Sequence, residues 1–318
     1  MKVAVYCWAG HQNFGDELIL EGMKKLFKGW QVVVMSNEEP VKGSYPLIDF
    51  GKVNECDLFV LGGGELIQRS WLFSKISNCR FYPFKKQSWI HQIKIPKMIL
   101  GCGVNAESAC ELSKYTVGGL EQFGYIGLRD NVAVNILQSF PQLTRKVHLF
   151  YDLAFALDTP KFCWRPKNNT AVVVPTDRFN FGDYGVRETE ISVKSEKWLN
   201  SRLQSYDKTV FLAFGKQDND DYETCKELSR GVSNVEVLRC EKLSLPKVLD
   251  IISKASMVFP YRLHGLILSY IVGAPYEFYP YHWKLKRVHD TISGLNIDFI
   301  QKKQKECFEE AKEMVGFD

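Results

Sequence analysis

The chain has 318 residues, is 45% hydrophobic and 25% charged, and carries a formal net charge of +4. That balance is expected of a soluble globular protein long enough for two cores. The slight positive excess suits an anionic substrate or a membrane surface, but no basic run is dense enough to hold nucleic acid.

The first residues, "MKVAVYCWAG", are apolar for only about eight positions, too few for a signal peptide or a membrane span. A cytoplasmic protein is expected, one that meets a membrane only from its inner face. The nine cysteines are scattered and lack C-x-x-C spacing, which argues for reduced thiols and against a disulfide frame or a zinc site.

Short apolar runs at 2–8, 31–35, 57–61, 97–102, 125–128 and 147–150 read as buried strands. Helical patterns at 16–28, 107–120 and 131–139 lie between them. This alternation is that of an α/β fold with a mostly parallel sheet. The pattern breaks at "DTPKFCWRPKNNT", residues 158–170, whose prolines and paired asparagines mark a linker. A second series follows, with strands at 170–175, 209–214, 235–238 and 257–260 and helices at 188–204, 218–230, 244–254 and 265–272. The expected domains are 1–160 and 168–318, with residues 301–318 forming a charged tail helix that packs back on the first domain. Ligands of such sheets lie beyond the carboxyl ends of the strands, and two such domains place the active site in the cleft between them.

Several segments at strand ends carry candidate chemistry. In "AGHQNFGDELILEGM", Asn13 and Asp16 stand where a helix begins, suited to a sugar hydroxyl or simply to capping. Gly63 and Gly64 in "DLFVLGGGELIQ" let the backbone approach an anion closely, or let a helix pack tightly on the strand. Arg129 in "YIGLRDN" presents a guanidinium beside Asp130, which is also a ready helix cap. Asp152 in "HLFYDLAFAL" follows another strand, suited to capping or to a sugar hydroxyl. In "VFPYRLHGLILS", Arg262 and His264 hang from a strand-to-helix turn, where residues two apart on extended backbone share a face. Lys284 and Lys286 add cations in "FYPYHWKLKR", and Tyr279, Tyr281 and Trp283 offer either a sugar-stacking surface or ordinary packing. His282 and His289 lack the partners a metal site needs, so no metal is expected.

Taken together, "NFGDEL", "LGGGELIQ", "GLRDN", "YDLAFAL", "YRLHG" and "YHWK" resemble the polysaccharide pyruvyl transferase family in order and spacing. The resemblance runs from residue 5 to about residue 290. It implies two Rossmann-like domains similar to GT-B glycosyltransferases, the first on the acceptor side and the second on the donor side. It also implies transfer of pyruvate from phosphoenolpyruvate onto two hydroxyls of a cell-surface or capsular saccharide, often lipid-linked, without a cofactor. On this likeness Arg129, Arg262, Leu263 and His264 belong to donor binding and catalysis, and Lys284 matches the lysine of a Y-D-P-K motif. The chain departs from the family with His282 and Trp283 inside that motif, and with Leu153 where a proline usually follows the aspartate.

The implied chemistry accounts for these residue types. Phosphoenolpyruvate carries a carboxylate and a phosphate, which call for several fixed cations, here Arg129, Arg262 and Lys284. Ketal formation needs a proton at the methylene carbon, and a free imidazole titrates near 6.5, so His264 is the expected acid/base. Two other readings use the same architecture: a GT-B glycosyltransferase with a nucleotide-activated sugar, and a non-catalytic saccharide-binding member of a synthesis complex. The sequence carries no signal for oligomeric state.

Overall fold

The computed structural model describes residues 1–35, 45–68, 89–157, 162–176, 186–215 and 221–317. They form two compact units. The first comprises Met1–Gly10, Leu18–Leu157 and Asp290–Asp318; the second comprises His11–Glu17 and Asp158–His289. A plain division at the linker therefore differs at two places: 11–17 group with the second unit and 290–318 with the first.

In the first unit the strands are β1 (Lys2–Tyr6), β2 (Gln31–Met35), β3 (Leu47–Ile48), β4 (Leu58–Gly62), β5 (Ile67–Gln68), β6 (Lys97–Cys102), β7 (Val104–Asn105), β8 (Tyr125–Leu128) and β9 (Val147–Leu149). Its main sheet runs β3-β2-β1-β4-β6-β8-β9 and is parallel throughout, with β5 and β7 as a separate pair. Strands covered on both faces read as unbroken apolar runs. Alternate residues then serve opposite layers: Ala4 and Tyr6 face one cluster with Phe59, Leu61 and Ile99, while Val3 and Val5 face another with Leu58, Val60 and Leu100.

The helices begin where short polar side chains can cap them. The helical pattern at 107–120 is interrupted because Ser113 accepts the Thr116 N–H at 3.0 Å, so α2 (Lys114–Leu120) starts there after a 3-10 turn at Ala109–Glu111. Asp130 caps α3 (Asn131–Gln138) by accepting from Ala133 at 2.8 Å. α1 (Phe14–Leu26) changes unit after its first turn.

The second unit has β10 (Thr170–Val174), β11 (Lys208–Ala213), β12 (Val235–Arg239) and β13 (Met257–Pro260), ordered β12-β11-β10-β13 and all parallel. Its helices are α4 (Val186–Leu203), α5 (Asp221–Leu228), α6 (Leu245–Ser253), α7 (Leu263–Val272) and α8 (Trp283–Ile292), of which α8 ends in the first unit. Of the expected linker, 158–161 lie outside the described residues. The rest is held to the second unit: the backbone N–H groups of Trp164, Arg165 and Lys167 donate to Val272, Ser253 and Lys254.

α9 (Ile297–Val315) belongs to the first unit. Phe308 sets its ring on Phe27 at 4.8 Å between centroids, and the buried Gln304 side chain donates to the Asp152 carbonyl at 2.9 Å. Among the described residues no helix is long and apolar enough to cross a membrane.

In both sheets the strand order reverses beside the first strand, at β1/β4 and at β10/β13. Loops leaving the carboxyl ends of such strands are where open α/β sheets bind ligands.

Candidate functional site

In the second unit, β13 ends at Pro260 and α7 begins at Leu263, with Arg262 at the N-cap position. α7 thus starts two residues earlier than the apolar pattern suggests. His264 sits in the first helical turn rather than on extended backbone, and the shared strand face expected for Arg262 and His264 does not exist. Leu263 is buried at the start of the helix. Close packing of this turn on β10 needs Gly265, since a Cβ there would lie 2.9 Å from Val174.

The turn meets the start of α1. Asn13 caps that helix: its Oδ1 accepts the Gly15 N–H at 3.1 Å, and its carbonyl accepts from Asp16 and Glu17. Capping by Asp16 is therefore not what holds this helix start. The backbone of Gly15 lies directly against the His264 imidazole, so close that a Cβ would stand 2.2 Å from Nδ1. Glycine is required here by the ring that covers it.

Asp16, one residue on, is half-buried and within electrostatic reach of His264, Arg262 and Lys284. Burial pushes its carboxyl up to about 6, against the pull of those three groups. The carboxyls of Asp16 and Glu17, one imidazole and two cations thus gather at the carboxyl end of the second sheet.

Arg262 is oriented by a residue that the sequence reading missed. Asp221, fully buried at the start of α5, accepts from Arg262 Nε at 3.0 Å and from Nη2 through its other oxygen. Three aspartates and an asparagine crowd residues 218–221, "DNDD", and nothing local separates the one that matters.

Lys284 sits in the first turn of α8, and its N–H donates to His282 Nδ1 at 3.1 Å. An imidazole nitrogen does here the capping that a carboxylate would suit, so the departure at His282 keeps the helix start. Trp283 places its ring against the Arg287 guanidinium, and Tyr281 donates to the Tyr261 carbonyl at 2.6 Å. Tyr279 and Tyr281 pack on the core of the second unit.

The remaining candidates lie in the first unit. Arg129 follows β8, is 3% exposed, and lies over Gly103, where a Cβ would come within 2.8 Å of its guanidinium. Its charge faces two carboxylates, Asp152 at 3.7 Å and Glu65 at 3.8 Å. As a donor cation it is therefore largely offset within its own unit. Among the described residues its buried Nε has no hydrogen-bond partner.

Asp152 caps the short turn Leu153–Ala156 through Ala154 at 3.0 Å, and Tyr151 before it holds φ +65°, an unfavourable value for a bulky residue. Leu153, in place of the family's proline, is buried against Gly62 and Gly101. The Gly63 N–H donates to the Leu100 carbonyl at 2.8 Å, and its bare Cα makes room for Ile19. Packing, rather than an anion, accounts for Gly63. Gly64, at φ +66°, gives its carbonyl to Gly103 at 2.8 Å and is open on its Cα. Among the described residues no three His, Cys, Asp or Glu side chains stand together as a metal site.

The family model described as polysaccharide pyruvyl transferase matches residues 13–275, a span that holds every candidate above except Lys284 and the residues around it. Solved structures also align along the chain. Anabaena Alr3699/HepE, in complex with UDP and glucose, has TM-score 0.56 at 8% identity, covering 97% of this chain and 99% of that one. The UDP-GlcNAc 2-epimerase of Methanocaldococcus jannaschii has TM-score 0.52 at 9% identity, covering 99% and 92%. An uncharacterized protein from Klebsiella pneumoniae is 18% identical, with TM-score 0.48 and 91% and 87% covered. No curated protein matches in sequence. At such identities the likeness is one of fold, the GT-B-like combination of two Rossmann-like units.

Proposed function

The chain belongs to the polysaccharide pyruvyl transferase family, and from that premise we propose that it transfers pyruvate from phosphoenolpyruvate onto two hydroxyls of a saccharide. The observation that carries this reading is the convergence of Arg262, His264 and Lys284 on Asp16 in the second unit. Two cations suit the carboxylate and phosphate of the donor, and Arg262 comes with its fork already oriented.

His264 gives a proton to the methylene carbon, and the neighbouring carbon gains positive character. A saccharide hydroxyl attacks that carbon and loses its proton to Asp16, whose raised affinity makes it a usable base near neutrality. The carbon–oxygen bond to phosphate breaks, the phosphate leaves with the electron pair, and the second hydroxyl closes the ketal. One hydroxyl proton replaces the proton delivered to carbon, and the other leaves with phosphate.

Asn13 shapes this edge of the site through its cap. Saccharide acceptors are often lipid-linked, and the working place is then the cytoplasmic face of the membrane.

The test is incubation with phosphoenolpyruvate and candidate saccharides, following phosphate release and a mass gain matching a pyruvyl ketal. His264→Ala is expected to lower turnover about 10²–10⁴-fold with the fold retained; near wild-type turnover removes His264 from the mechanism. Because Anabaena Alr3699/HepE was solved with UDP and glucose, a parallel arm with nucleotide sugars tests the glycosyltransferase reading. Transfer there, and none from phosphoenolpyruvate, replaces the proposal.

A further inference from the structure

We infer that Asp221 is the positioning residue for Arg262: its carboxylate locks the guanidinium in the orientation that receives the anionic donor. The inference rests on the donor reading above but concerns a residue outside the motifs that identify the family. Among the described residues, four hydrogen-bond donors converge on this carboxylate. Arg262 Nε and the N–H groups of Phe214 and Gly215 reach Oδ2 at 3.0, 3.2 and 2.8 Å, and Arg262 Nη2 reaches Oδ1. The backbone of Asp221 is itself tied down, its N–H donating to the Gly215 carbonyl at 3.2 Å. With no solvent exposure and backbone donors on one oxygen, the carboxylate has one way to sit, and so has the fork paired with it.

Stability alone is a poor reason to keep such a pair, since the cost of removing two charges from water cancels much of their attraction. Orientation is a better one. A long, flexible arginine loses rotamer freedom when it grips a ligand, and prior fixation removes that loss from the binding step. The same strand end also holds the other side of the site: the Phe214 carbonyl accepts the Phe14 N–H at 2.8 Å, and the two rings stack edge to face at 5.1 Å. The loop after β11 thereby aligns Arg262 with the helix turn that carries Asp16.

Titration calorimetry with phosphoenolpyruvate on the wild type, Asp221→Asn, Arg262→Ala and the double variant tests the inference. Asp221→Asn keeps the shape and an oxygen for the backbone donors, but turns an amide toward the guanidinium. It is expected to weaken donor binding at least about tenfold, and to add less than twofold once Arg262 is gone, the non-additivity of residues that act through one contact. Wild-type affinity in Asp221→Asn, or an undiminished effect in the Arg262→Ala background, overturns the inference. If the wild type takes up no phosphoenolpyruvate, it is the donor reading that fails. Nitrogen-15 NMR then decides the role of Asp221: a slowly exchanging Arg262 Hε is expected in the wild type, and rapid exchange there refutes the lock without any variant having to fold.

Discussion

Replacing Asp16 with asparagine should stabilise the protein, and only above mildly acidic pH. Burial lifts this carboxyl from 3.8 to about 6 in the folded chain, despite His264, Arg262 and Lys284 nearby. Below pH 3.8 the group is protonated in both states and contributes nothing. As pH rises toward 6 the unfolded chain releases the proton while the folded chain keeps it, so native stability falls across that window and stays lower above it. At about 1.4 kcal/mol per pH unit, the loss at pH 7.5 amounts to at most about 3 kcal/mol. Asparagine copies the neutral acid without titrating. Urea denaturation of Asp16→Asn and the wild type should therefore coincide near pH 4 and separate progressively to pH 7.5, with the variant ahead. Titrating groups that do not interact with Asp16 are common to both proteins and cancel. A gap independent of pH, or a wild type that is the more stable at pH 7.5, refutes the reasoning. The same variant should lose turnover, the familiar exchange of stability for function at a catalytic position.

Gly15→Ala places a Cβ 2.2 Å from His264 Nδ1; displacement of the ring should lower turnover about 10²-fold while circular dichroism stays unchanged, and unaltered turnover contradicts the contact. Arg129→Ala leaves the fully buried Asp152 without the guanidinium beside it, so a loss of about 3–5 kcal/mol is expected in chemical denaturation, and an unmoved midpoint excludes the pairing. Phe308→Ala opens a cavity between α9 and Phe27 and should cost about 3–5 kcal/mol, whereas a loss below 1 kcal/mol would mean that the tail helix adds little to its unit.

The strands of both sheets were legible because their local code is strong: runs such as "VAVY" and "LFVLG" are buried on both faces and tolerate no polar residue. Arg262 and His264 stood out because two polar groups interrupt an apolar run at a strand end, and the glycines beside them could be seen but not interpreted. The two-residue strands β3, β5 and β7 escaped notice, being too short for any periodicity.

Local sequence determined which segments become strands and helices, and that cations and an imidazole stand where apolar runs give way to helices. Tertiary structure decided which of them meet. It brought the Asp16 turn to His264 across nearly the whole length of the chain, selected Asp221 out of an acidic run, and set two carboxylates against Arg129. Backbone conformation follows from neighbours a few residues apart, whereas ion pairs, burial and the resulting proton affinities depend on groups that only the packed chain brings within a few ångströms of one another.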